Sequence, residues 1–195
     1  MLISKNILSH IKPDNYFKYP FNQYMQLNHQ SLNHYFQITK STSQKQKVLR
    51  GKINEYLILI YFRHRGITKQ YPQTYLFFIP DIKFDLVLFT QNKRIVAFNF
   101  KTYLRERYKQ AIIEAQQLKK LDTRFEYYLL TNDAIESQRL NNKIKNGKVQ
   151  GIDKVIDCFS QKANIFVNTL FQRQFISFKD INLIKNTKGN NLNVE

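Results

Sequence analysis

Two apolar runs separated by a polar turn constrain this chain more than any other feature. Phe84 to Phe89 and Arg94 to Phe100 flank Gln91-Asn92-Lys93, which is the layout of a β-hairpin. A three-residue loop sets Asp85 opposite Asn99, Val87 opposite Ala97 and Phe89 opposite Ile95. Side chains alternate along a strand, so the other face carries Phe84, Leu86, Leu88, Val96, Phe98 and Phe100. Both faces are largely apolar, as in central strands covered by helices on each side. A slip of one residue would set the polar face against the aromatic one, which supports this pairing. The expected fold is α/β, with a mixed central β-sheet flanked by helices.

The helices that would cover this sheet are legible on both sides of the hairpin. From Ser43 to about Arg65, Leu49, Ile53, Tyr56, Leu57 and Ile60 form one stripe. Ile58, Leu59 and Phe62 make its second half apolar all round, and Gly66 ends it. A second helix is expected from about Tyr103 to Leu121, buried along Leu104, Tyr108, Ala111, Ala115 and Leu118. Tyr75 to Ile79 and Phe125 to Leu130 read as further strands, and Asp133 to Lys145 as a polar helix. Val155 to Phe159 and Ala163 to Gln172 suggest one more strand and one more helix. Residues 1–42 have poor periodicity and read as short helices and loops, a helical or irregular extension whose rings pack onto the main domain. Residues 43–185 form that domain, and 186–195 read as a disordered tail.

Charge narrows the partner. Thirty-one lysines and arginines against fourteen acids give +17, a field that draws a polyanion through counterion release. No apolar run approaches the roughly 18 residues of a membrane span. Lys5, His10, Lys12 and Asp14 interrupt any signal-like segment, and the single Cys158 excludes an internal disulfide framework. A cytoplasmic protein that meets nucleic acid rather than membrane is expected. His10, His29, His34 and His64 lack metal-ligand spacing, and no glycine-rich phosphate loop exists.

Three polar residues interrupt the hairpin's apolar face: Asp85, Asn99 and Lys101. A carboxylate there can hold Mg²⁺, which polarises a phosphate and lowers the pKa of a bound water. A lysine beside it orients that water and stabilises charge developing on phosphorus. Asp81 has the same parity as Asp85 and follows Pro80, but Asp85 sits opposite residue 99 and is preferred. Glu55 is the only acid between Asp14 and Asp81 and enters the core on its helix, where a carboxylate needs a partner or a metal. A pairing with Lys52 would serve it equally well.

Asp85 followed by thirteen residues and Asn99-Phe100-Lys101 resembles the PD-(D/E)xK nuclease motif, with asparagine in place of the second acid. Lys101-Thr102-Tyr103-Leu104-Arg105-Glu106-Arg107-Tyr108-Lys109-Gln110, with Glu114-Ala115 behind it, resembles a segment of type II restriction endonucleases. The nearest resemblance is to the EcoRII/PspGI-like and NgoMIV-like enzymes, in which the second carboxylate has moved to the following helix. Glu114 matches that position, and it lies at one border of the helix's apolar stripe.

The resemblance implies a restriction-endonuclease-like core with Asp85, Lys101, Glu114 and Glu55 as catalytic residues, and Asp85 and Glu114 as Mg²⁺ ligands. It also implies that Arg105, Glu106 and Arg107 read G·C pairs in the major groove, arginine on guanine and glutamate on cytosine. The expected function is Mg²⁺-dependent site-specific cleavage of double-stranded DNA by a homodimer, with a cognate DNA methyltransferase as functional partner. A repair nuclease of the same superfamily and a non-catalytic basic nucleic-acid-binding protein are the alternatives. A ribosome-associated basic protein has only the charge in its favour.

Overall fold

The computed structural model describes residues 3–76, 79–105, 107–177 and 184–186. In chain order the elements are α1 (Lys5–Ile11), α2 (Phe21–Ile38), α3 (Ser43–His64), β1 (Tyr71–Leu76), β2 (Ile79–Phe89), β3 (Ile95–Lys101), α4 (Arg107–Leu121), β4 (Phe125–Thr131), α5 (Ala134–Lys145), β5 (Lys154–Asp157), α6 (Gln161–Phe171) and β6 (Ile184–Asn186). A mixed sheet of five strands runs in the order β5-β4-β3-β2-β1, and the three residues of β6 add to the outer edge of β1. β1, β2 and β3 are antiparallel neighbours, whereas β4 and β5 are parallel to β3. The protein is therefore α/β, with helices on both faces of a mixed sheet.

The hairpin register follows the sequence pattern, with Val87 opposite Ala97 and Phe89 opposite Ile95. Its two faces enter two separate cores. Leu86, Leu88, Val96, Phe98 and Phe100 pack with the apolar half of α3 and with α2 and α6. Val87, Phe89, Ile95 and Ala97 pack under α4 and α5 with Ala111, Ala115, Leu118 and Leu140. Phe84 differs from expectation: it joins the second cluster, because β2 runs on beyond its ladder with β3.

Four element boundaries depart from the sequence reading. The expected strand Tyr75–Ile79 is instead β1 at Tyr71–Leu76, with Ile79 opening β2. The polar Gln73 and Thr74 and the ring of Pro72 obscure its pattern. The helix expected from Tyr103 begins at Arg107, because Arg105 takes a left-handed conformation at φ 34° that a helix excludes. β5 ends at Asp157 rather than Phe159, since Ser160 caps α6 by accepting the Ala163 N–H. The N-terminal region holds an 18-residue helix, α2, where short pieces were expected. Its periodicity is blurred because Asn22, Asn28 and His29 are buried beside Phe21, Tyr24, Met25 and Leu32. The rings of this region do pack inward: Phe21 lies edge-on to Tyr61, and Phe17 stacks on His64. The tail from residue 187 onward lies outside the described residues.

One glycine fixes where α4 sits. Gly151 has φ 92°, and a Cβ there would stand 2.7 Å from the Gln116 backbone nitrogen and 2.8 Å from the Ala115 carbonyl carbon. The loop before β5 thus presses directly on the α4 backbone. Gly151→Ala adds backbone strain to a clash that no side-chain rotation relieves. It should destabilise the protein by roughly 2–4 kcal/mol, read as a lower urea midpoint.

Candidate active site

The site forms where the sheet splits. The β2–β3 ladder ends at the pair Leu86–Phe98, while β3 continues beside β4 as far as Lys101–Thr131. Beyond that point side chains replace the missing backbone bonds. The Phe100 N–H donates to Asp85 Oδ2 at 2.7 Å, and the Asp85 N–H donates to Asn99 Oδ1 at 3.1 Å. Asp85 and Asn99 are thus held in the cleft between two diverging strands. Their positions are set by the backbone on both sides.

Glu55 reaches the same place from α3. A residue with no signal in the sequence makes the connection: Gln73 Nε2 donates to Glu55 Oε2 at 2.9 Å and to Asp85 Oδ1 at 3.1 Å. Gln73 of β1 stands opposite Asp85 of β2, between the pairs Pro72–Leu86 and Thr74–Phe84. Its φ of 52° is uncommon for a side chain other than glycine. Glu55 could have formed a surface ion pair or taken a place in the site, and the geometry favours the second.

Burial is the main electrostatic fact here. It pushes the Glu55 carboxyl up to about 7, helped by the charge of Asp85 and opposed by Lys101, Lys83 and Lys52. Burial also raises Asp85, against the pull of Lys101, the Phe100 N–H, Gln73 and Lys83. Two carboxyls sharing one amide donor in a half-buried cleft resist carrying two charges. Three lysines surround them. Lys101 ends β3, Lys83 is exposed two residues before Asp85, and Lys52 is exposed one helical turn before Glu55.

A raised acid binds its proton more tightly in the folded state than in the unfolded one. Glu55 therefore contributes most stability below pH 4.5, and that contribution is lost as pH rises from 4.5 through about 7. Without divalent ions, urea midpoints should fall between pH 5 and pH 8, with a Glu55 component on the order of 2 kcal/mol. In Glu55→Gln that component should vanish. His29, whose pKa burial lowers, contributes with the opposite sign. The comparison between the two proteins reads Glu55 together with Asp85, which burial also raises and which shares its Gln73 donor.

Glu114 occupies the neighbouring position. Asn99 Nδ2 donates to Glu114 Oε2 at 2.9 Å and to the Tyr127 hydroxyl at 2.7 Å, and that hydroxyl donates to Glu114 Oε2 at 3.1 Å. Gln110 Nε2 donates to Glu114 Oε1 at 2.8 Å. Burial, with Glu114 beside it, raises the Tyr127 phenol, so it remains a donor. This arrangement explains the residue type at 99. An acid there would set a second carboxylate against Glu114, whereas the asparagine amide accepts from Asp85 and donates to Glu114 at once.

Among the described residues, the structure thus brings Asp85 and Glu55 together through Gln73 and joins Glu114 to Asp85 through Asn99. Among the described residues no three histidine, cysteine, aspartate or glutamate side chains gather around a common point. Asp81 is exposed on β2, outside this network. The start of the loop after Lys101 is tied down from behind. Asn54 Nδ2 donates to Thr102 Oγ1 at 3.2 Å, and Asn54 Oδ1 in turn contacts His29 of α2. Arg105 is exposed in that loop. Glu106 lies outside the described residues, as does the side chain of Arg107, which opens α4. Sequence reasoning missed Gln73, Tyr127 and the His29–Asn54 support, all brought in by long-range packing. Only the aromatic run of β4 hinted at Tyr127.

The chain matches no protein-family model, no characterised protein and no solved structure with which it was compared. Among the described residues no helix is long and apolar enough to cross a membrane.

Proposed function

We propose that this protein is a Mg²⁺-dependent endonuclease of double-stranded DNA, with its reacting centre at Glu55, Asp85 and Lys101. The observation that carries the reading is the shared cleft position of two carboxyls with a lysine beside them, in a chain of charge +17. The donor set fits Mg²⁺. This ion is commonly held by one or two carboxylates, with waters and substrate phosphate completing its shell. A divalent cation would also offset the burial that raises both carboxyls and the Asp85 charge that adds to it at Glu55.

When bound, such an ion supplies Lewis-acid activation of the scissile phosphate and of a water. The remaining work belongs to the chain. Asp85 is fixed by the Phe100 N–H, so its Oδ1 stays directed at Gln73 and Glu55. Lys101 orients the attacking water and offsets charge developing on phosphorus. Glu114 keeps Asn99 turned toward Asp85. It stands where the resemblance to type II restriction endonucleases sets the displaced second carboxylate. Lys52 and Lys83 are suited to the phosphates on either side of the cleavage point.

The finer reading is a site-specific restriction enzyme of the PD-(D/E)xK superfamily, acting in the cytoplasm as a homodimer alongside a methyltransferase. Arg105, Glu106 and Arg107 would then read a short G·C-containing site. The mixed sheet, with acid and lysine on one hairpin and a helix crossing over to a parallel strand, is compatible with a restriction-endonuclease-like core. A non-catalytic nucleic-acid-binding protein is the second reading, favoured by Asn99 in place of an acid.

Sequencing the fragment ends from a plasmid digested with Mg²⁺ separates these readings. Ends at one short palindrome are expected. Scattered ends would point to a nuclease of repair. Intact DNA that binds wild type and Lys101→Ala equally would favour the non-catalytic reading.

A further inference from the structure

Gln73 does more than bridge two acids. Its amide lies between Glu55 and Asp85, at 2.9 and 3.1 Å from one oxygen of each. In an octahedral shell with bonds of roughly 2.1 Å, neighbouring oxygens stand about 3.0 Å apart. The Gln73 amide end is thus within hydrogen-bond reach of both carboxyl oxygens, a separation that also suits neighbouring oxygens of such a shell. Rotating the amide by half a turn exchanges Nε2 for Oε1 at that spot with almost no change in shape. The backbone is committed to this placement as well. Gln73 adopts φ 52° inside a strand, and strain of this kind costs on the order of 1–3 kcal/mol unless its surroundings enforce it.

We propose that Gln73 is a metal ligand, turning its amide so that Oε1 joins Glu55 and Asp85 on a divalent cation. This rests on the reading of the cleft as a metal site, and it changes the donor set. The third oxygen comes from β1 and is neutral. Glu114 remains the partner of Asn99 and stays outside the inner shell. In the metal-free protein the same amide serves as the donor that keeps the two carboxyls together. The cleft then needs no large rearrangement on loading.

The test is Mn²⁺ binding to the full-length protein without DNA, by calorimetry and by the Mn²⁺ electron paramagnetic resonance signal. Wild type, Gln73→Leu, Gln73→Glu, Glu114→Gln and Asp85→Asn are compared after thermal melts establish which are folded. Gln73→Leu removes the oxygen and should weaken binding about tenfold or more. Gln73→Glu supplies an anionic oxygen at the same length and should tighten it about tenfold. Glu114→Gln keeps an oxygen that accepts from Asn99 Nδ2, so its affinity should fall far less than that of Gln73→Leu. A merely structural role for Gln73 would not move affinity in opposite directions in the two variants. Unchanged affinity in Gln73→Glu, or in a folded Gln73→Leu, while Asp85→Asn loses binding, would overturn the assignment and leave the metal site standing. If wild type takes up no Mn²⁺, the metal reading fails and this assignment with it.

Discussion

Asp85→Asn should abolish Mg²⁺-dependent cleavage of duplex DNA, lowering its rate by about a thousandfold or more, without lowering stability. The two halves of this expectation have separate causes. Cleavage is lost because the substitution takes away a charged oxygen from the proposed metal position. Stability is kept because the asparagine still accepts the Phe100 N–H, the bond that closes the gap between β2 and β3. The bond to Gln73 is given up, because its Nε2 stays with Glu55, and removal of a buried charge offsets that loss. Glu55 meanwhile loses the negative neighbour that helps to raise its pKa, and relaxes toward the ordinary carboxyl range. At pH 8 without divalent ions the variant should melt at or above the wild-type temperature. Loss of both cleavage and stability would mean that Asp85 serves the fold alone.

The second large effect belongs to Lys101. Lys101→Met keeps an unbranched stem at the end of β3 and removes only the ammonium. Its cleavage rate should drop by about 100- to 1000-fold. Mn²⁺ binding in the same variant should be retained or slightly tightened, because a cation that competes for Glu55 and Asp85 is gone. Both carboxyls should titrate higher in the metal-free state, since Lys101 lowers each of them in wild type. Single-turnover cleavage beside Mn²⁺ titration reads the two effects independently. A variant that loses Mn²⁺ affinity along with cleavage would assign Lys101 to holding the cleft together rather than to the chemistry.

The parts of the fold that were legible are those with strong local constraint. The register of β2 against β3 followed from the three-residue turn together with alternation, because a slip would set the polar face against the aromatic one. α3 was legible through the apolar run 56–62 in its second half. α2 was hidden because Asn22, Asn28 and His29 lie among its buried apolar residues, Asn22 and His29 meeting the distant Asn164 and Asn54 while Asn28 Nδ2 donates to the Tyr24 carbonyl of its own helix. β1 was hidden by Pro72 and by a glutamine whose inward role depends on residues 18 and 12 positions away. Within the site, Asp85, Asn99 and Lys101 stood out as polar intrusions on an apolar face. The link from Asp85 to Glu55 did not, since it runs from the middle of α3 through Gln73 of β1.

Glu114 illustrates the limit of helix geometry. Its place at the border of the α4 stripe was readable, and it does lean toward the strand ends. Which polar group it meets there is decided by Tyr127 and Asn99, residues of two other elements. The distinction matters for mechanism, because a carboxylate bonded to Asn99 orients Asp85 indirectly.

Incubation of a supercoiled plasmid with the purified protein, in Mg²⁺ and separately in EDTA, tests the central claim most directly. Conversion to linear fragments in Mg²⁺ and intact supercoiled DNA in EDTA are the expected results. DNA that is bound but left uncut in Mg²⁺, or cut equally well in EDTA, would contradict the claim.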